Sequence, residues 1–125
     1  MSHQIAKGLY LGDEMSSRKG FDWVIDLREW TAEEDFEWKD YTKPYQAIKD
    51  IHTALECGNV LVFCHAGMDR SPFVVAMYLH HFHNKDPMEA YEAVRKRRPQ
   101  TIIHDEWVTP FVEWLSRKKQ SKRMD

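Results

Sequence analysis

Residues 60–71 read Val60-Leu61-Val62-Phe63-Cys64-His65-Ala66-Gly67-Met68-Asp69-Arg70-Ser71. The first four are apolar, two of them β-branched, which predicts a short buried strand. Ser71 and Pro72 then head a long apolar run, with Ser71 as an N-cap and Pro72 at the first helical position, which predicts a helix. Cys64 and Arg70 are separated by five residues in the tight loop between strand end and helix start. A helix N-terminus offers unpaired N–H groups and partial positive charge, and successive amides in a tight turn add an anion-binding nest. Gly67 allows the backbone angles that such a wrap needs. Arg70 supplies a planar fork for two oxygens of a tetrahedral anion. The same field favours the thiolate of Cys64, the nucleophilic form.

Thiolate, phosphate cradle and guanidinium together describe phosphoryl transfer through a covalent thiophosphate. Positioning and charge stabilisation would supply most of the rate, because the transition state is largely dissociative. The Ser71 hydroxyl lies within reach of the sulfur and can stabilise it as a leaving group.

Outward from the loop, residues 5–11 read as a strand and 13–19 as a short helix. Residues 23–27 read as a second buried strand. Residues 28–43 are polar, acidic and aromatic, and read as a loop. A helix is expected from Pro44 to about residue 56, with Tyr45, Ile48, Ile51, His52 and Leu55 at helical spacing. Asp86-Pro87 caps another helix running to about Arg97, broken by residues 98–101. A last helix spans about 105–118, with Trp107, Phe111, Trp114 and Leu115 inward; Pro110 leaves Thr109 as an alternative N-cap. This order of strands and helices predicts an α/β sheet with the loop at a strand's carboxyl end.

At this point the chain resembles a known family. Residues 64–71 fit the Cys-x5-Arg-Ser/Thr signature of the protein tyrosine phosphatases, and the short length is similar to their dual-specificity branch. Residues 5–12 (IAKGLYLG) are similar to that branch's opening strand, and residues 21–27 (FDWVIDL) to its second. Glu34-Asp35, followed by Asp40 and an amphipathic helix, resembles the stretch that holds the family's general acid. The likeness runs from about residue 4 to 116. It implies a single-domain protein tyrosine phosphatase-like fold, a central sheet flanked by helices around a Cys-x5-Arg phosphate-binding loop. It implies a cysteine-dependent phosphatase acting on phosphotyrosine or phosphoserine/threonine in proteins through a phosphocysteine intermediate, with no metal and no cofactor. Cys64, Arg70, Asp35 and Ser71 are its expected catalytic residues, and His65, Ala66, Gly67, Met68, Asp69 and Arg70 its phosphate-binding loop. One departure stands out: Phe63 occupies the place of a histidine that braces the loop and tunes the thiol in the family. That change lowers the expected stability of the thiolate, and so the rate, and leaves nucleophile and cradle in place.

The acid must approach from outside the loop to protonate the leaving oxygen. Asp35, 29 residues before Cys64, is the first choice, with Glu33, Glu34 and Asp40 as neighbours able to serve. Asp69 is a competitor, since an acid directly before the loop arginine resembles the myotubularin-type and Sac-type phosphoinositide phosphatases. Phosphoinositides or RNA 5′ phosphates are therefore the alternative substrates, and a non-catalytic phosphate-binding module is the alternative class.

At 125 residues the chain is expected to be one domain with a basic tail from about 117. Its 42% hydrophobic content excludes wholesale disorder, and no apolar run approaches the length needed to span a bilayer. No signal-peptide core opens the chain, and two cysteines suit a reducing, cytoplasmic setting. Net charge is −2, unevenly spread. Glu29, Glu33, Glu34, Asp35, Glu37 and Asp40 face one Lys39, whereas Arg95 to Arg98 and Arg117, Lys118, Lys119, Lys122 and Arg123 form basic runs. These read as solvated faces and a frayed tail, with recruitment of an anionic substrate or acidic partner as the sharper alternative. His80, His81, His83 and His104 fit no closed zinc pattern. Cys57 reads as an ordinary helix-end cysteine, with a protective disulfide to Cys64 as the alternative. Arg28 reads as an ion-pair partner of Asp26 or Glu29, or as a buttress of the acid loop; Trp30 and Trp38 flank that loop.

Overall fold

The computed structural model describes residues 1–124, with side chains through Lys119; Lys122 and Arg123 of the expected basic tail therefore fall outside the described side chains. Its elements are β1 (His3–Ala6), β2 (Leu9–Gly12), β3 (Trp23–Asp26), α1 (Ala32–Glu37), α2 (Thr42–Leu55), β4 (Val60–Phe63), α3 (Arg70–His83), α4 (Pro87–Arg97) and α5 (Asp105–Met124). The sheet order is β1-β2-β4-β3, with β4 parallel to both β2 and β3. Gly12 and Asp26 both sit opposite Phe63, so the carboxyl ends of three strands converge where the Cys64 loop begins. That end of a parallel sheet is where α/β folds gather their ligands.

Strand β4 is buried at every residue. Val60, Val62 and Cys64 point into the core shared with the helices, while Leu61 and Phe63 alternate to the opposite face. Helix α3 follows, buried continuously from Ser71 to Leu79, and is the central helix its composition predicts. Phe73 ties the layers together, with rings of Trp30, Phe36, Tyr91, Trp107 and Phe111 around it.

Several boundaries differ from expectation for local reasons. The single strand expected over 5–11 is an antiparallel hairpin, because Gly8 takes a positive φ of 75° and turns the chain between β1 and β2. The helix expected over 13–19 is a turn: the Asp13 carboxylate accepts the Met15 N–H, and the Ser16 hydroxyl accepts the Asp13 N–H. The acidic loop contains α1, whose apolar Ala32 and Phe36 supply the inward contacts. Helix α2 starts at Thr42, so Pro44 sits in its first turn, where a missing N–H removes no helical bond. Its inner face is Pro44, Ala47, Ile48, Ile51 and Ala54, with His52 turned outward. Strand β3 is an edge rather than a buried strand, with Trp23 52% and Val24 36% exposed. Helix α5 begins at Asp105, and the His104 carbonyl accepts the Trp107 N–H ahead of Pro110.

Candidate active site

Cys64 leaves β4 and enters the loop with its side chain turned toward the start of α3. Its Sγ lies 3.2 Å from the Ser71 Oγ and accepts the Ser71 N–H at 3.5 Å. Both residues are fully buried. Ser71 is the expected N-cap, but the helix starts two residues earlier, at Arg70, and Asp69 takes that place, its Oδ1 accepting the Arg70 N–H at 2.7 Å. With Asp69 at the cap, the Ser71 hydroxyl faces the sulfur. The sulfur thus meets both an amide N–H and a hydroxyl at the N-terminus of α3.

The loop's backbone is held from behind. Gly67 is buried with φ of 65°, and a Cβ there would collide with the Gly12 carbonyl and the Arg98 guanidinium. The Gly67 carbonyl accepts Arg98 Nε at 2.7 Å, and the Met68 carbonyl accepts the Ile102 N–H at 2.6 Å. Two carbonyls are thus engaged at the rear, where they cannot repel an anion in the cradle. His65 and Ala66 are exposed on the outer arc, and Met68 is half-buried. His65 Nδ1 sits 2.9 Å from Glu14 Oε2.

Arg70 reaches across to the segment after β3. Its Nη1 donates to the carbonyls of Arg28 (2.8 Å), Trp30 (3.2 Å) and Leu27 (3.4 Å). Those bonds use Nη1 alone; Nε lies 3.8 Å from Asp69 Oδ1, beyond hydrogen-bond reach, so Nε–H and Nη2 can turn to two oxygens of an anion. The same segment carries Asp35, which lies on α1 rather than in a loop. Its Oδ2 accepts the Trp30 indole N–H at 2.9 Å. Trp30 therefore links loop arginine and candidate acid, with its carbonyl on one and its indole on the other. Glu33 and Glu34 are exposed, and Asp40 is committed to Thr42, which holds its carboxyl below the usual range. Trp38 is 74% exposed, away from the packed rings.

Other candidates separate from the loop. Arg28 grips Asp26 with two nitrogens, the ion pair rather than the acid-loop buttress. Cys57 is exposed before β4 and Cys64 is buried after it. Four strand residues, about 13 Å, stand between them, well beyond the roughly 7 Å limit of a disulfide. His80 bonds the Lys85 carbonyl and His83 the Tyr78 hydroxyl, while His104 lies beside the loop. Among the described residues no cluster of three metal-ligating side chains occurs.

Arg98 was concealed in a basic run and read as solvated, yet it has no exposed surface. Its register shows why. It lies seven residues after Tyr91 and four after Val94, on the stripe that α4 buries. An arginine on an apolar stripe just before a helix-breaking proline was the available signal.

A central sheet with three parallel strands, and a thiol and an arginine bracketing an amide cradle at a helix N-terminus, define the cysteine-dependent phosphatase fold. Residues 33–119 match the family described as dual specificity phosphatase, catalytic domain. A protein of Invertebrate iridescent virus 6 named as a tyrosine phosphatase is 32% identical over 132 residues, which span 90% of this chain and 93% of that protein. A Drosophila melanogaster protein named dual specificity protein phosphatase MPK-4 is 37% identical over 67 residues, 54% of this chain and 16% of its own length. Among solved structures, PTPMT1 superposes with a TM-score of 0.74 at 22% identity over 100% of both chains. DUSP15 superposes at 0.71 with 20% identity over 98% of this chain and 93% of its own. The chain belongs to the dual-specificity phosphatase family of the protein tyrosine phosphatase superfamily.

Proposed function

We propose that this chain hydrolyses phosphate monoesters on proteins, phosphotyrosine or phosphoserine/threonine, through a phosphocysteine at Cys64. The observation that carries the reading is the Cys64 Sγ held 3.2 Å from Ser71 Oγ, at the mouth of a helix whose first residue is Arg70. The thiolate attacks phosphorus as the P–O bond to the alcohol or phenol breaks, and Asp35 gives its proton to the departing oxygen. The carboxylate then takes a proton from water as that water attacks phosphorus. The S–P bond breaks, inorganic phosphate leaves, and Ser71 stabilises the restored thiolate. Arg70 and the loop amides hold the equatorial oxygens throughout. A nucleophilic thiol suits a reducing compartment, which supports a cytoplasmic setting.

A second reading gives the proton to Asp69 and makes the substrate a phosphoinositide or an RNA 5′ phosphate. Asp69 supports it by sitting within the loop itself, next to Arg70. The similarity in fold to PTPMT1, which has been solved in complex with PI(5)P, points the same way. Cys64→Ser is expected to end release of phosphate from an aryl phosphate while a phosphate mimic still binds; retained turnover would overturn the mechanism. Asp35→Asn should slow poor leaving groups by about 100-fold, the usual size of general acid catalysis, and spare good ones. If Asp69→Asn does this instead, the acid is Asp69. Binding without turnover in the unaltered chain would define a phosphate-binding module.

A further inference from the structure

The segment from Arg98 to His104 runs along the back of the loop and meets three successive residues. Arg98 holds the Gly67 carbonyl, Ile102 holds the Met68 carbonyl, and His104 faces the Asp69 side chain. The third contact is unlike the others. His104 Nε2 lies 3.9 Å from Asp69 Oδ2 and is buried without a hydrogen-bond partner.

The imidazole is held on every other side. Its Nδ1 lies 3.0 Å from Glu106 Oε1, its ring stacks on Trp107 with centroids 3.8 Å apart, and its backbone N–H donates to the Tyr91 hydroxyl. A carboxylate only accepts, so the Glu106 contact places a hydrogen on Nδ1. In the neutral ring Nε2 then presents a lone pair to the Asp69 carboxylate, and neither atom can satisfy the other. One further proton on Nε2 turns the repulsion into an ion pair between carboxylates on both sides.

Asp69 is also awkward for the loop it belongs to. A carboxylate beside Arg70 opposes the binding of any dianion in the cradle. We propose that His104 is a positioning residue that carries this proton and offsets the charge of Asp69, so that anion binding in the Cys64 loop depends on the protonation of His104. The proposal rests on the phosphate-loop reading above. The groups in contact with His104 are Asp69 from the loop, Tyr91 from α4 and Glu106 from α5, and Asp105 follows His104 in the chain, its charge acting on Tyr91. Burial pushes the Tyr91 phenol far above its ordinary range, so it stays neutral.

The test uses inorganic sulfate, a tetrahedral dianion whose charge is constant between pH 5.5 and 8, on the full chain carrying Cys64→Ser, which removes the reactive thiol. Sulfate affinity should fall by about three- to fivefold across that range, the span of a partly exposed ion pair. Adding His104→Gln should weaken binding at pH 5.5 and flatten much of that fall, and adding Asp69→Asn to it should restore tight binding at low pH. Any pH dependence arising elsewhere in the chain is common to all the variants and cancels in the comparison. A fall as steep with glutamine as with histidine would overturn the proposal. So would a loss equal at every pH that Asp69→Asn does not rescue, the result of a packing role alone. Absence of sulfate binding at any pH with His104 in place would instead defeat the phosphate-loop reading beneath it. Circular dichroism and thermal melts of each variant separate these results from misfolding.

Discussion

Arg98 donates from all three of its guanidinium nitrogens: Nε to the Gly67 carbonyl, Nη1 to the Met1 carbonyl and His3 Nδ1, and Nη2 to Asp13. It joins the amino-terminal hairpin to the loop through a side chain with no solvent contact. Phe63, by contrast, faces away from the thiol and lies under the guanidiniums of Arg18 and Arg28, at 4.6 and 5.2 Å from the ring centroid. The bracing that a histidine before the cysteine would lend is thus absent at residue 63, and the loop is braced from Arg98. Arg98→Met is expected to cost roughly 3 kcal/mol in chemical denaturation, the size of a broken buried ion pair, because Asp13 and the Gly67 carbonyl lose their partner. Arg98→Lys should recover part of the stability, but less of the anion binding, since an ammonium cannot reproduce the fork. The sequence pointed to Cys64, Arg70 and Ser71 because spacing alone puts them in one loop. It did not point to Arg98 or His104, whose meaning depends on contacts more than 30 residues away in the chain.

Among the elements, α1 shows how little a short helix declares of itself. Six residues are too few to form a stable helix in isolation. Phe36, stacked on Trp107 with centroids 5.2 Å apart, and Trp30 within the aromatic core hold it in place. Packing decided the conformation there, and composition suggested a loop. The indole of Trp30 sets where Asp35 points, so Trp30→Phe should keep the ring packing while releasing the carboxylate. We expect a loss of about 1 kcal/mol in stability, one hydrogen bond, and a larger fall in kcat than in KM for aryl phosphate hydrolysis. An equal loss in both, or none, would separate Trp30 from the acid. The longer helices α3 and α4 were legible, since burial along one and the Asp86-Pro87 cap of the other are written in local order.

On the scale of the molecule, the amino-terminal hairpin, the loop and the end of α4 meet around Arg98, and the groups there respond to acid together. Burial, then the charges of Arg98 and the N-terminus, lower His3 from its ordinary 6.5. Burial works to raise Asp13, but the Met15 N–H, the N-terminal ammonium, Ser16 and Arg98 carry it below 3.8 overall. Each binds a proton less readily in the folded chain than in the unfolded one, so stability rises with pH through both windows. The His3 contribution is complete above 6.5 and is lost as pH falls through its lowered folded value, whereas the Asp13 contribution is complete above 3.8 and fades below it. Thermal melts should show Tm falling in two stages on acidification, and His3→Gln should remove the upper one. The sequence by itself determined the loop and the residues that line it, because a thiol, a glycine and an arginine between strand and helix are related by short-range geometry alone. It determined the central strand and the buried helix for the same reason. Only the tertiary structure decided that β3 is an edge, that Asp35, the candidate acid, rides on a helix fastened by Trp30, and that Arg98 and His104 stand behind the loop. Those relations arise from packing between segments far apart in the chain, where burial and charge are set by whichever neighbours the fold brings together.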